Sequence, residues 1–304
     1  MSRQTRNSSK QPVPAGLLVM DKPAGMTSHD VVARVRRIMG TRKVGHAGTL
    51  DPMATGVLVL GLERATKLLG HLALDTKAYL ATIRLGASTS TDDAEGESLS
   101  FADASGISDE ELSEAVAALT GDMAQVPSAV SAVKVNGRRA YELAREGQHV
   151  ELEARPVTVS RFDPLAVHRE EAEVVDVDVL VECSSGTYVR ALARDLGEAL
   201  GVGGHLTRLR RTRVGPFGLA TVRTLDDLEQ RPELSMDLDR AVGTAFPRVD
   251  VDADTARAVA HGQAVAKSGV SETYGVFAPD GHAVALLRDR DRVAKPVLVL
   301  RPAG

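Results

Sequence analysis

Residues 45–56 read Gly-His-Ala-Gly-Thr-Leu-Asp-Pro-Met-Ala-Thr-Gly, and three glycines and a proline in twelve positions exclude a regular element. An apolar run, Val57-Leu58-Val59-Leu60, follows at once and is short enough for a buried strand. A polar loop with one acid, Asp51, and one histidine, His46, is therefore pinned to the core at its downstream end. Loops held by a rigid scaffold are frequent carriers of catalytic groups. The residues alone also allow a plainer reading. Asp51 before Pro52 is a good N-cap followed by a good first helical residue, and Thr55-Gly56 would end that helix after one turn.

Around this loop, strands and helices alternate. Residues 1–15 read as a disordered tail and 16–20 as a short strand. Asp21 to Met26 is a turn, and Thr27-Ser28 caps a helix with Val31, Val32, Val35, Ile38 and Met39 on one face, ended by Gly40. Arg34, Arg36 and Arg37 lie off that face, toward solvent or RNA. Residues 77–85 alternate as a strand with Tyr79, Ala81, Ile83 and Leu85 on one side; taken alone, Tyr79 is a core tyrosine. Residues 87–106 read as an acidic loop, and Ser108 to Glu111 as a capping box opening a helix through Leu119. A basic helix is expected over 137–145 and a strand over 175–182. Ser184 to Thr187 then turns into a helix over 188–200, ended by Gly201. Arg190 falls in its first turn, where the helix dipole disfavours a cation and an acid partner would restore the balance. Four arginines lie within 205–214, strands near 216–222, and a helix over 225–231. From Phe246 onward, short pieces and regular turns suggest a small barrel-like β domain.

Composition narrows the classes. A net charge of −4 argues against a general nucleic-acid binder, yet bases cluster at 34–43, 134–145 and 208–213. Such clusters are ordinarily solvated faces; together they are also compatible with a phosphate track. The single cysteine, Cys183, excludes an internal disulfide and a cysteine metal site, and fits a reducing compartment. The polar first fourteen residues carry no signal-peptide pattern, and no apolar run reaches membrane-spanning length.

The loop sequence GHAGTLDPMATG resembles the signature of the TruB family, the bacterial tRNA pseudouridine-55 synthases. Asp21 to Ser28, Lys77-Ala78-Tyr79, Ser184 to Arg190 and Leu209-Arg210-Arg211 resemble that family's other motifs, in its order and spacing. The likeness implies an α+β fold: a mixed, mostly antiparallel sheet with flanking helices over 16–245, an RNA-facing insertion at about 87–150, and a PUA-like RNA-binding domain over 246–304. It implies Asp51 as the catalytic acid, Arg190 as its partner, and Tyr79 stacked on the flipped base and assisting proton removal. His46 would enter the RNA loop, Tyr188 and Leu209 would wall the pocket, and Lys22 and Pro23 would support the signature loop. The cluster holding Arg211 would contact phosphates. No metal or cofactor is implied. The partner would be the T-arm of tRNA, bound by a cytoplasmic monomer with no obligatory protein partner. Ser128 and Val130 depart from the family's usual proline and aromatic.

Two other classes compete. A glycoside hydrolase also directs a carboxylate at an anomeric carbon, but with a second carboxyl group, and the loop offers none. Release of free uracil, against isomerised product, would separate the two. A non-catalytic RNA-binding or tRNA-folding module would need neither Asp51 nor its partner. The glycine clusters lack the Lys-Ser/Thr of a phosphate-cradling loop.

Overall fold

The computed structural model describes residues 13–73, 76–129, 134–135, 138–139 and 152–303. Apolar alternation and short spacing build its first half. β1 (Gly16–Lys22) leads into α1 (Ser28–Met39), which opens on the reciprocal Thr27–Asp30 capping box and ends at Gly40. β2 (Val44–His46) takes in the first two residues of the glycine loop and β3 (Thr55–Leu62) its last two, with β3 buried at every position after Thr55. β1 and β2 both pair antiparallel with β3, and α2 (Leu69–Leu72) closes the unit. Of the expected tail, residues 1–12 lie outside the described residues, whereas Val13 and Ala15 pack on the core.

The second half is β4 (Lys77–Leu85), β5 (Ala87–Thr89), β6 (Ser98–Phe101), α3 (Asp109–Ala118), β7 (Gly121–Gln125), β8 (Lys134–Val135) and β9 (Arg138–Arg139). It continues through β10 (Arg155–His168), β11 (Val175–Cys183), α4 (Val189–Ala199), β12 (Gly204–Val214) and β13 (Phe217–Gly218). Then come α5 (Leu225–Gln230), β14 (Met236–Asp237) and α6 (Leu238–Ala245). The main sheet runs β14-β1-β3-β12-β4-β11-β10-β7, with β2 on β3 and β13 on β12. Its strands pair antiparallel except β12 with β3, whose parallel contact is only Arg210 opposite Thr55 and Arg211 opposite Gly56. This two-pair seam joins the halves of the sheet. Gly56 has φ 100°, and a Cβ there would sit 2.1 Å from the Arg211 carbonyl oxygen. At the other end of β12, Leu206 bonds the backbone of Asp92 (3.0 Å) and Ala94 (2.8 Å). Between these attachments a cavity of about 670 Å³ opens, with Met53 and Thr55 on one wall and Ala94 and Glu95 on the other. Leu80, Thr207 and Leu209 also line it.

Several expectations are corrected. The supposed loop over 87–106 contains the β5–β6 pair, and the 14-residue β10 is an additional strand. The strands near 216–222 shrink to β13 and a 3-10 turn at Leu219–Thr221. Most of the basic helix at 137–145, and Val130, lie outside the described residues; within it Arg138–Arg139 pairs as a strand with Lys134–Val135. Arg34, Arg36 and Arg37 are exposed, as expected, with Arg34 hydrogen-bonded to Glu229 (2.7 Å) and Arg36 to the Val44 carbonyl (2.8 Å).

The C-terminal unit is an open four-stranded sheet rather than a barrel. β15 (Arg248–Asp250), α7 (Ala253–Ala260), β16 (Tyr274–Phe277), β17 (Ala283–Arg290) and β18 (Val293–Val299) build it, with β15 parallel to β16. It docks on the main sheet through one apolar cluster that includes Val19, Val57, Val242, Phe277 and Leu286. Asp239 of α6 fastens the contact, accepting from the Ala283 amide (2.7 Å) and Arg301 (2.6 Å) and bonding His282 (2.8 Å). No helix among the described residues is long and apolar enough to cross a membrane.

Gly56→Ala would combine left-handed strain with a backbone clash at the seam, so unfolding free energy should fall by about 2–5 kcal/mol. Urea denaturation measures it; a loss under about 0.5 kcal/mol, the surface-substitution range, would mean that the seam parts freely.

Candidate active site

The glycine loop forms no helix; its backbone is satisfied from outside, as buried polar groups require. Arg211 donates to the carbonyls of Gly48 and Thr49, each at 3.2 Å. The Ser28 hydroxyl accepts from the Leu50 amide (2.9 Å) and donates to its carbonyl (3.2 Å). The Pro52 carbonyl accepts from the Lys22 ammonium (3.1 Å) and the Gly25 amide (2.9 Å), and the Asp51 carbonyl accepts from Ala54 (3.1 Å). Every carbonyl from 48 to 52 therefore has a donor, most of them from the segments at 22–28 and 211. Lys22 is fully buried, and its three N–H groups also meet the carbonyls of Pro23 (2.9 Å) and Met26 (2.5 Å). Burial lowers its pKa to about 8 against the opposing pull of Asp51 and Glu95. Pro23 contributes that carbonyl while its ring stays exposed.

This frame holds Asp51 against Arg190. The Arg190 Nε lies 3.0 Å from Asp51 Oδ2, and its Nη2 donates to Oδ1 at 3.3 Å. Arg190 is 5% exposed at the side chain while Asp51 keeps 35%, so the cation is inside and the carboxylate partly open. Arg190 occupies the first turn of α4, and Gly197 lets that helix lie tight on the sheet: a Cβ there would be 2.1 Å from Gly203. The acid that offsets the unfavourable dipole is twofold, because Asp93 also pairs with Arg190 at 3.2 Å. Arg190 further donates to the Thr91 carbonyl at 2.8 Å. Asp93 was hidden in the supposed acidic loop; the signal was the need of Arg190 for an acid. Glu95, on the cavity wall, has its pKa raised by burial first and then by Asp93 and Asp51.

Tyr79 stands on β4 opposite Arg211 of β12 and packs in a cluster with Leu50, Ala54 and Leu209. Burial raises its hydroxyl pKa, and the Arg211 charge and hydrogen bond oppose that. Leu209 forms the cavity wall beside Met53. Tyr188 is the half-buried N-cap of α4; its amide donates to Gln125 Oε1 (2.8 Å) and its carbonyl accepts from Gln125 Nε2 (3.1 Å). Sequence reasoning did not single out Gln125. His46 stands at the end of β2, edge-on to His29 with ring centroids 5.3 Å apart. Burial, then His29 and Arg211, lower its pKa.

The arginine cluster is not a uniform phosphate track. Arg211 is 1% exposed and its guanidinium is spent on backbone carbonyls, so it cannot meet phosphate. Arg210 pairs with Asp21 and Arg213 with Glu182, at 2.8 and 2.7 Å. Arg208 is exposed on the cavity wall. Among the described residues no three His, Cys, Asp or Glu side chains gather as a metal site.

Family comparisons cover nearly the whole chain. The TruB family pseudouridylate synthase N-terminal domain matches residues 36–189, the tRNA pseudouridylate synthase B C-terminal domain 190–242, and a tRNA pseudouridine synthase II C-terminal region 246–301. The tRNA pseudouridine synthase B of Rhodococcus jostii (strain RHA1) is 63% identical over 292 residues, covering 96% of this chain and 95% of that protein. That of Mycobacterium ulcerans (strain Agy99) is 57% identical, covering 100% of this chain and 99% of its own. A chain in the crystal structure of a Cbf5-Nop10-Gar1 complex superposes with a TM-score of 0.71 at 27% identity, covering 96% of this chain and 88% of that one. A shared fold alone would not carry chemistry, but identity of this extent shows that the chain belongs to the TruB family of pseudouridylate synthases.

Proposed function

We propose that the protein isomerises the uridine at position 55 in the T-loop of tRNA to pseudouridine, with Asp51 as the reacting carboxylate. The observation that carries this is a carboxylate held from behind by a buried arginine and left partly open beside the cavity. The isomerisation breaks the bond from the ribose anomeric carbon to nitrogen 1 of uracil and makes one to carbon 5. The carbon-5 proton leaves and nitrogen 1 gains one, so nothing is added or lost. A base inside a folded RNA loop is out of reach and must be flipped. Met53, Leu80 and Leu209 offer it apolar walls.

Asp51 acts on the flipped nucleoside as an ionised carboxylate, by nucleophilic or base chemistry. Arg190 fixes its direction through one charge-assisted hydrogen bond, Nη2 to Oδ1, and an ion-pair contact of Nε with Oδ2. Asp93 and the Thr91 carbonyl hold the other side of that guanidinium. Tyr79 stacks on the uracil. Its hydroxyl keeps its proton at neutral pH, so it can take up the carbon-5 proton only while handing its own onward. His46 and Tyr188 contact the RNA at the mouth of the site. The C-terminal sheet adds a second, PUA-like RNA contact. The protein works as a cytoplasmic monomer with no obligatory protein partner. A module that only bound RNA would gain nothing from a buried ion cluster, whose desolvation is costly.

Pseudouridine formed in an unmodified tRNA transcript tests the reading. Asp51→Asn, near-isosteric but unable to attack or take a proton, should bind tRNA within a small factor of wild type and lose turnover. A rate above about a thousandth of wild type, a barrier change under roughly 4 kcal/mol, would remove Asp51 from the chemistry. Tyr79→Phe keeps the ring, so binding and melting temperature should hold while turnover drops by orders of magnitude; a fully active variant excludes the hydroxyl from proton transfer.

Lys22 makes turnover pH-dependent. Its folded pKa of about 8 lies below the ordinary 10.5, so between these values the folded chain holds fewer protons than the unfolded one. The stability penalty of the buried charge is complete below pH 8 and fades as pH rises through that window. Activity should run the other way, because a neutral amine has two N–H groups for three carbonyls and the loop loosens. A single-turnover rate with an alkaline limb near pH 8 is expected; a flat profile from about pH 7 to 9.5 would contradict the role of the Lys22 ammonium in holding the loop.

A further inference from the structure

The guanidinium of Arg211 joins the glycine loop to the seam, and the residue's backbone pairs with that of Tyr79. Its Nε donates to the Val57 carbonyl (2.7 Å) at the start of the buried run, and its two Nη atoms reach Thr49 and Gly48, on the loop before Asp51. Its backbone stands opposite Gly56 on one side and Tyr79 on the other, so residue 211 belongs to both halves of the sheet. The backbone pairing of Arg211 with Tyr79 brings the second reactive side chain next to the same residue, whose charge acts on the Tyr79 hydroxyl. With 1% exposure it has no route to RNA phosphate.

We propose that Arg211 is a positioning residue for the reaction: its planar, multiply donating head sets the loop bearing Asp51 in register with Tyr79 and serves turnover without touching tRNA. This rests on the reading of Asp51 and Tyr79 given above. Lysine keeps the charge but is a point donor that cannot reproduce the fork. A loop displaced by about 1 Å costs on the order of a hundredfold in rate while leaving RNA-binding surfaces in place.

The test compares Arg211→Lys and Arg211→Met with wild type, Asp51→Asn and a stability control, Val242→Ala, buried on α6 and supplying no group to the loop or to the Arg211 contacts. Single-turnover rates are normalised to tRNA-binding-competent protein, which removes any unfolded fraction, and tRNA affinity is measured against salt. Arg211→Lys should bind tRNA within about twofold with an unchanged salt slope and turn over about a hundredfold more slowly; Arg211→Met should be slower still. Val242→Ala should lose stability but not normalised rate. Full turnover by Arg211→Lys would overturn the proposal, as would an equal rate loss in Val242→Ala. Weaker affinity with a slope shallower by about one counterion would return Arg211 to phosphate contact. An active Asp51→Asn would instead overturn the site reading, whereas an inactive one beside a fully active Arg211→Lys would remove only Arg211.

Discussion

The molecule depends on a parallel contact of two residue pairs, Thr55 with Arg210 and Gly56 with Arg211. Among the described residues no further ladder pair joins β3 to β12; side-chain bonds from Arg211 to the Val57 carbonyl (2.7 Å) and from Arg210 to the Thr55 hydroxyl (3.3 Å) reinforce the two that exist, and the sheet on either side is antiparallel. So short a seam forces close backbone approach, which a side chain at position 56 would prevent. Beside it the cavity opens across β12, β4, β11 and β10, with Met53 and Thr55 from the loop end of the seam in its wall. The glycine loop enters at that point because the same segment that ends it begins the seam. Its position follows from the sheet's topology, and its shape from donors on segments distant in sequence.

Charge completes what topology begins. Arg190 is buried between Asp51 and Asp93, and Lys22 between three carbonyls. Each cation was removed from water at a cost of several kcal/mol, recovered only with satisfied geometry. Such groups specify one arrangement of the loop more than they stabilise the fold. Asp239 plays a similar part for the C-terminal sheet, where one carboxylate gathers an amide, a histidine and an arginine across the contact.

Much of this was legible in the sequence wherever the cause is local. The capping boxes at Thr27 and Ser108, the alternation over 175–182 and the glycine end of α1 are set by neighbours within four residues. Asp51 stood out as the only acid in a loop that cannot be regular. Asp93 did not, because its partner lies 97 positions away, on α4. β10 escaped because bulges after Val159 and Pro164 break its alternation. Arg211 was misread as a solvated or phosphate-binding arginine, the ordinary fate of arginines in a cluster; only the seam shows that this one faces inward. The C-terminal strands were visible, but whether they close into a barrel depends on pairing, and these four leave the sheet open.

Chemistry at Asp51 requires that a uridine leave its RNA loop, enter the cavity beside the seam and meet that carboxylate. An experimental structure of the Asp51→Asn protein with an unmodified T-arm stem-loop addresses that directly. The result expected is one uridine extruded into the cavity, its ring against Tyr79 and Leu209 and its anomeric carbon or base next to residue 51. A stem-loop bound with that uridine still stacked, or seated away from the seam, would contradict it.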